Sequence, residues 1–223
     1  VVPNNGEMIT EAVRGNGAIL INQEGKRFIN ELQTRDVVSA AELQQTGKVG
    51  YLVFDNSVRR SLKAIETYIK KKLVTEGTTL DELAKKLNIN ADNLKATIDQ
   101  YAKFQAAKKD DAFGRADMPR PLTQGPWYAV QVTPAVHHTM GGLRINSEAQ
   151  VLNKKGNVIP GLFAAGEVTG GVHGANRLGG NAMADIVTFG RIAGRNAALH
   201  PTEVIVSRGQ NPKDAETATA EGK

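Results

Sequence analysis

The 223-residue chain carries 28 Lys and Arg against 23 Asp and Glu, a formal charge of +5, with 40% hydrophobic residues, 23 glycines and no cysteine. This length allows one or two domains with a real core, and the composition excludes a collagen-like or wholly disordered chain; no apolar run of about 18 residues offers a membrane span, so no membrane insertion is expected. Without cysteine there is no disulfide, no thiolate metal ligand and no Cys-x-x-Cys-His haem attachment inside the chain.

Much of the positive charge, Arg59, Arg60, Lys63, Lys70, Lys71 and Lys72, falls in one helical pattern whose apolar positions Leu62, Ile65 and Ile69 supply a buried face. A solvated helix surface accounts for it. Basic residues without interleaved aromatics or a reader motif do not indicate a nucleic-acid partner. The opening Val1-Val2-Pro3 has neither an initiator Met nor a signal-peptide pattern and is read as the start of a fragment or processed product.

In chain order, residues 15 to 30 read as two short β runs joined by a turn near Asn22 to Gly25, a hairpin. Residues 35 to 45 look helical. Residues 49 to 54 form a buried strand running into Asp55 and Ser57, which start the basic helix. Thr79-Leu80-Asp81-Glu82 fits the capping box that opens a helix through Leu83 and Leu87, and Asn90 caps another through Leu94, Ile98 and Tyr101. Residues 110 to 126 concentrate proline, glycine and charge, the composition of a crossing between domains, and a boundary is placed at 125/126. Beyond it Trp127 to Thr133 is a strand, Leu143 to Ile145 and Glu148 to Leu152 a hairpin or paired strands, and Leu162 to Ala165 a buried strand. The final helix runs from about Asn181 to Leu199, and residues 201–223 are expected to be a disordered tail.

The stretch that stands out is 166 to 182, Gly-Glu-Val-Thr-Gly-Gly-Val-His-Gly-Ala-Asn-Arg-Leu-Gly-Gly-Asn-Ala, with Val136 to Gly142 upstream. Glycines this dense let backbone approach a ligand closely, and the helix that follows can offer free N–H groups to an anion. His137, Arg177, Arg35 and His138 together suit a small dianion, because arginine binds carboxylates bidentately and stays charged. Taken by themselves, Glu11 and Arg14 read as an ion pair steadying a hairpin, and Arg35-Asp36 as a surface helix start.

Residues 7 to 200 closely resemble the later part of the flavoprotein domain of soluble fumarate reductases of flavocytochrome c type, in the succinate dehydrogenase and fumarate reductase flavoprotein superfamily. The resemblance is carried by Thr-Glu-Ala-Val-Arg-Gly at 10 to 15, Thr-Arg-Asp at 34 to 36, His-His-Thr-Met-Gly-Gly at 137 to 142 and the whole of 166 to 182. It implies an α+β chain: a substrate-capping (clamp) domain of helices and a small sheet at 1–125, then at 126–200 the C-terminal segment of an α/β FAD-binding domain, without the N-terminal Rossmann segment and its Gly-x-Gly-x-x-Gly fingerprint.

Carried over by position, His137 and Arg177 resemble the ligands of the substrate carboxylates, with Thr10, Glu11 and the backbone at Gly180 completing the pocket. Arg35 resembles the proton donor, and Glu11 and Arg14 the relay that reprotonates it. His138, Glu167, Ala182 and Met183 resemble FAD contacts. The resemblance implies non-covalent FAD, a small dicarboxylate substrate (fumarate or succinate), and an electron-donor cytochrome or haem domain, with haem c only on an absent domain or partner. Side-chain metal ligands are not expected, although carbonyls near Thr139, Met140, Gly141 and Thr169 would suit a monovalent cation. A periplasmic location fits these relatives, with a cytoplasmic one left open. Two further readings remain: a reductase of another activated alkene acid such as urocanate or an acrylate, and a non-catalytic cap module or fragment that binds a partner domain.

Overall fold

A computed structural model of the chain describes residues 1–199. The chain divides into two compact units, one spanning Val1–Val136 and the other beginning at His137.

The first unit is built on a four-stranded antiparallel sheet. Strands β1 (Ile19–Ile21), β2 (Gly50–Asp55), β3 (Thr75–Gly77) and β4 (Trp127–Val132) lie in the order β1-β2-β4-β3. All six residues of β2 are buried, because the near-continuous run Tyr51-Leu52-Val53-Phe54 is covered on both faces. Pairing of Gly50↔Val132 through Asp55↔Trp127 makes β4 its central partner. The compact unit therefore extends past the proline-rich stretch at 110 to 126, since the strand after that stretch returns to the first sheet.

The helices of this unit are α1 (Ala12–Gly15), α2 (Arg35–Leu43), α3 (Asn56–Ser61), α4 (Ala64–Lys70), α5 (Leu80–Leu87) and α6 (Ala91–Ala107). Their starts follow the predicted caps. Asp55 Oδ1 accepts from the Ser57 and Val58 N–H groups, at 2.9 and 3.2 Å, and so opens α3. Thr79 Oγ1 accepts from Glu82 N–H at 3.2 Å and Asn90 Oδ1 from Asn93 N–H at 2.8 Å, opening α5 and α6. Lys86 and the Thr78 N–H together hold the Glu82 carboxyl down to about 2.

Two expectations change. The basic stretch is two helices, broken where Leu62 turns extended (φ −137°, ψ 104°). Arg59 is also more than surface: it bonds Glu66 of α4 at 2.6 and 3.1 Å and the Tyr128 hydroxyl of β4 at 2.7 Å, tying both helices to the sheet. At residues 15 to 30 the turn exists, with Gly25 N–H on Asn22 O at 3.0 Å, but only Ile21↔Arg27 bridges across it. The first run pairs instead with β2, where its three apolar residues are wholly buried.

In the second unit β5 (Leu143–Arg144) pairs in parallel with β8 (Thr169–Gly170), and β6 (Gln150–Leu152) pairs antiparallel with β7 (Val158–Phe163). The expected pairing between Leu143–Ile145 and Glu148–Leu152 is reduced to one bridge, Ile145↔Val151. The expected buried strand at 162 to 165 lies in part on β7, whose Val158, Ile159 and Leu162 are exposed at 39%, 36% and 42%. Helix α7 (Asn181–Leu199) closes the unit, with Met183, Ile186 and Val187 exposed along one face. The tail expected at 201–223 lies outside the described residues. No described helix is long and apolar enough to cross a membrane.

Candidate active-site residues

In the first unit the sequence brings acid and base together through α1. Glu11 stands at its N-terminal boundary and Arg14 one turn later, so both side chains fall on one face. Arg35, the first residue of α2, reaches across to the same carboxylate. Its Nε donates to Glu11 Oε1 and its Nη2 to Glu11 Oε2 at 2.9 Å, a bidentate fork. Arg14 Nη2 stands 3.6 Å from Glu11 Oε1, which places Glu11 against two guanidiniums. Thr10 is fixed beside them by its N–H donating to the Tyr68 hydroxyl at 3.0 Å.

Arg14 is the more enclosed of the two cations, and burial lowers its pKa against the opposing pull of Glu11, Glu42 and Glu31. Its Nη1 is buried with no hydrogen-bond partner. The nearby Glu42 carboxyl, 7% exposed, is pushed up by the same burial, with Arg14 and the chain's N-terminal amine pulling the other way. Sequence reading missed Glu42, which looks like any polar residue of an amphipathic helix until α2 turns it inward.

It also missed a buried polar frame around this cluster. Arg27 bonds Glu31 through Nε and Nη2, both at 2.8 Å, and Asp110 through Nη2 at 2.9 Å. Arg115, with a fully buried side chain, reaches Glu31 Oε2 at 3.1 Å. Among them Tyr101 carries an unpartnered buried hydroxyl, whose pKa burial pushes up to about 12.

In the second unit the glycine-rich stretch and the His-His segment meet. Arg177, on the loop between β8 and α7, is 5% exposed, and its Nη2 stands 3.2 Å from His137 Nε2. A guanidinium can only donate, so His137 accepts at Nε2 and carries its proton on Nδ1 when neutral. The Arg177 N–H donates to Met140 Sδ at 3.3 Å, tying the two segments at a second point. His138 Nδ1 accepts from Met140 N–H at 3.1 Å, which assigns the neutral ring's proton to Nε2. Glu167 braces the same loop: its Oε1 accepts from Thr139 N–H and its carbonyl from Thr139 Oγ1, each at 3.2 Å.

Glycine is required where these segments touch. A Cβ on Gly142 would lie 2.1 Å from Val168 O, and one on Gly170 would lie 2.7 Å from Gly142 N. Gly180, just before α7, takes φ +85°, left-handed backbone suited to glycine. Ala182 and Met183 follow in the first turn of α7, Met183 being 64% exposed. One pair here was not foreseen: His173 Nε2 meets Asp185 Oδ2 at 3.0 Å, while Asp185 Oδ1 is buried without a partner. An aspartate inside the apolar run Met183 to Val187 was the available signal. Among the described residues no group of three or more His, Asp or Glu is arranged to hold a metal ion.

Each unit thus supplies a different chemical device. The first holds a carboxylate in a guanidinium fork with a second guanidinium behind it. The second presents a histidine and arginine pair beside a helix N-terminus, the donor set for a carboxylate.

The profile of the FAD binding domain family matches residues 1–183. A fumarate reductase (cytochrome) of Shewanella frigidimarina is 56% identical over 195 residues, covering 87% of this chain and 34% of that protein. A urocanate reductase of Eggerthella lenta is 39% identical over 190 residues, covering 82% of this chain and 31% of the relative. Among solved structures, the open conformation of a flavocytochrome c3 fumarate reductase superposes with a TM-score of 0.71 at 50% identity, covering 91% of this chain and 36% of that one. The chain thus spans about a third of the length of these relatives.

Proposed function

The chain belongs to the FAD binding domain family, and from that membership and its likeness to fumarate reductases we propose that it is part of an FAD-dependent fumarate reductase, reducing fumarate to succinate. In this reading the first unit carries the substrate cap and the second the C-terminal segment of the FAD domain. The observation that carries the reading is the Arg35 fork on Glu11 with Arg14 behind it. An exposed ion pair that served stability alone would gain little from such an arrangement.

The proposed roles are those the resemblance implies, and the geometry within each unit is compatible with them. His137 and Arg177, already 3.2 Å apart, would grip a substrate carboxylate through the guanidinium fork and polarise the conjugated double bond. Within the first unit Thr10 and Glu11, and within the second the Gly180 backbone, would each offer further polar contacts to a dicarboxylate. Arg35 would deliver a proton to one alkene carbon. A guanidinium is a very weak acid, yet it can act when the developing carbanion is more basic and the proton is promptly replaced. Glu11, bonded to Arg35 and facing Arg14, would return that proton.

The chain's residues fit a flavin in several respects. His138 Nε2–H is a donor because Nδ1 is occupied by Met140 N–H. Val168, Leu178 and Met183 expose 56%, 72% and 64% of their surface, apolar area suited to a flat ring system. The α7 N-terminus at Asn181 to Met183 would favour negative charge on that ring. Bound non-covalently, FAD would supply the hydride from its N5 to the second alkene carbon. The exposed apolar faces of β7 and α7 would pack on the remainder of the FAD domain, and electrons would come from a cytochrome or haem domain.

The test is reduction of fumarate, urocanate and methacrylate by the FAD-loaded full-length protein, with a reduced viologen as donor. Turnover of fumarate above the other two is expected. Turnover of urocanate or methacrylate without fumarate would replace the substrate assignment and leave the FAD-dependent reductase.

A further inference from the structure

Helix α1 is a single turn, Ala12–Gly15, yet it carries Arg14 and sets the direction of Glu11. So short a helix does not hold itself, since nucleation fixes several dihedrals for one hydrogen bond. Its N-terminal boundary has no side-chain cap, and within it only Val13 is buried. Thr10 Oγ1 accepts from the Ala12 N–H at 3.4 Å and Asn16 Nδ2 donates to Ala12 O at 2.8 Å, and two further donors come from the segment at 110 to 126. Arg115 Nη2 donates to Arg14 O at 2.7 Å, and Arg120 Nη1 to Asn16 O at 2.9 Å. Arg14 O, which also accepts the Gly17 N–H at 3.0 Å, and Asn16 O, just past the helix, thus gain charged donors where the helix ends.

Arg115 does more than cap. Its Nη1 donates to Ala18 O at 2.9 Å and Glu31 Oε2 at 3.1 Å, and its Nε to Asp117 O at 2.8 Å. One planar group therefore fixes carbonyls on both sides of the turn from Arg14 to Ala18. Glu31, which orients it, is itself fixed by Arg27 and by the Leu20 N–H at 3.2 Å. Asp110 completes the frame by bonding both Arg27 Nη2 and the Arg115 N–H, at 2.9 and 3.3 Å. The stretch whose composition suggests a mere crossing is thus wired to the residues beside α1.

We propose that Arg115, backed by Arg120, is the positioning residue of the Glu11, Arg14 and Arg35 cluster: its guanidinium clamps the Arg14 carbonyl of α1 and the Ala18 carbonyl just beyond it, and so sets where Arg14 and Glu11 stand for proton delivery. The inference rests on the relay reading of those three residues. Lysine is no substitute, because one ammonium on a flexible stem cannot span the Arg14, Ala18 and Asp117 carbonyls in a fixed plane. Displacing a catalytic group by about 1 Å can cost on the order of a hundredfold in rate.

The test compares Arg115→Lys and Arg35→Ala in the FAD-loaded full-length protein, and measures amide exchange of Arg115→Lys in this chain without FAD. For Arg115→Lys, kcat for fumarate should fall about ten- to a hundredfold with KM changed less than about twofold, and the solvent deuterium isotope effect should rise as proton delivery becomes limiting. In the chain alone, the N–H groups of Gly15, Asn16 and Gly17, which bond Glu11, Ala12 and Arg14 carbonyls, should lose exchange protection while β2 keeps its own. Glu31 retains Arg27 in this variant, so folding should survive. Unchanged kcat and isotope effect in Arg115→Lys, beside an inactive Arg35→Ala, would overturn the positioning role and leave the relay reading standing. Full activity in Arg35→Ala would overturn the relay reading and the positioning role with it. If Arg115→Lys does not fold, Arg120→Ala, which releases only Asn16 O at the same turn, must reproduce the two kinetic changes in weaker form; no change there would overturn the proposal.

Discussion

Glu11 is 45% exposed at its side chain and accepts both arms of the Arg35 fork. Solvent screening makes such a pair worth little to stability, so its removal should show in rate and not in folding. Arg35→Ala is expected to lower fumarate reduction by about 10²–10⁴-fold, the range of a lost general acid, with FAD content unchanged and the melting temperature nearly so. Retained activity on steady-state assay would exclude Arg35 as donor. Asp110 makes the opposite case. Burial works against its carboxylate, but the Arg27 hydrogen bond and charge outweigh it and hold its pKa below the usual aspartate value. A depressed folded pKa contributes stability that is present above the unfolded value of about 4 and is lost as pH falls through the folded one. Urea midpoints at pH 7 and pH 3 should therefore differ less in Asp110→Asn than in the parent chain. An equal fall in both would show that Asp110 is not linked to folding.

Asp55 ties three elements. Its Oδ1 caps α3 and accepts from the Ser57 hydroxyl at 2.6 Å, while its Oδ2 accepts from Gln124 N–H at 2.9 Å, just ahead of β4. Asp55→Ala strips a cap and leaves buried donors unmet, so a loss of about 2 kcal/mol or more is expected by denaturant titration. A loss below 0.5 kcal/mol, within the range of ordinary surface changes, would contradict that account. In the second unit, β5 and β8 make their parallel contact only because Gly142 has no side chain to meet the Val168 carbonyl. Gly142→Ala must push these segments apart, and with them Thr139 and Glu167. FAD retention by the full-length protein should fall severely, measured by flavin absorbance per polypeptide, whereas full occupancy would show that the close approach is dispensable.

At the scale of the whole chain, about a third of the length of its relatives carries a proposed cap and only part of a proposed FAD domain. The apolar faces of β7 and α7 that stand exposed in the second unit are what a domain lacking its neighbours would present. The purified chain is therefore expected to show no flavin absorbance bands and no gain of them on mixing with FAD. Bands at stoichiometric intensity would mean that the second unit holds the cofactor by itself.

Local chemistry was legible at the helix caps and in the fully apolar strand. Asp55, Thr79 and Asn90 cap the helices they precede, and the apolar run of β2 is buried, because caps reach two or three residues and a fully apolar strand must be covered. The motifs at 10 to 15, 34 to 36, 137 to 142 and 166 to 182 named the family and its candidate residues without any geometry. Tertiary structure alone decided which distant groups meet. Nothing in the pattern at 15 to 30 says that β1 pairs with β2 and not across its own turn, since both pairings satisfy the same alternation. Arg115 and Glu31 lie 84 positions apart and Arg27 and Asp110 83, and a charged residue reads as surface until the fold encloses it. By sequence, the stretch at 110 to 126 was a crossing with a boundary behind it. Folding returned β4 to the first sheet and set Arg115 against α1, because a guanidinium's long reach and fixed fork let it tie together carbonyls that no local rule relates.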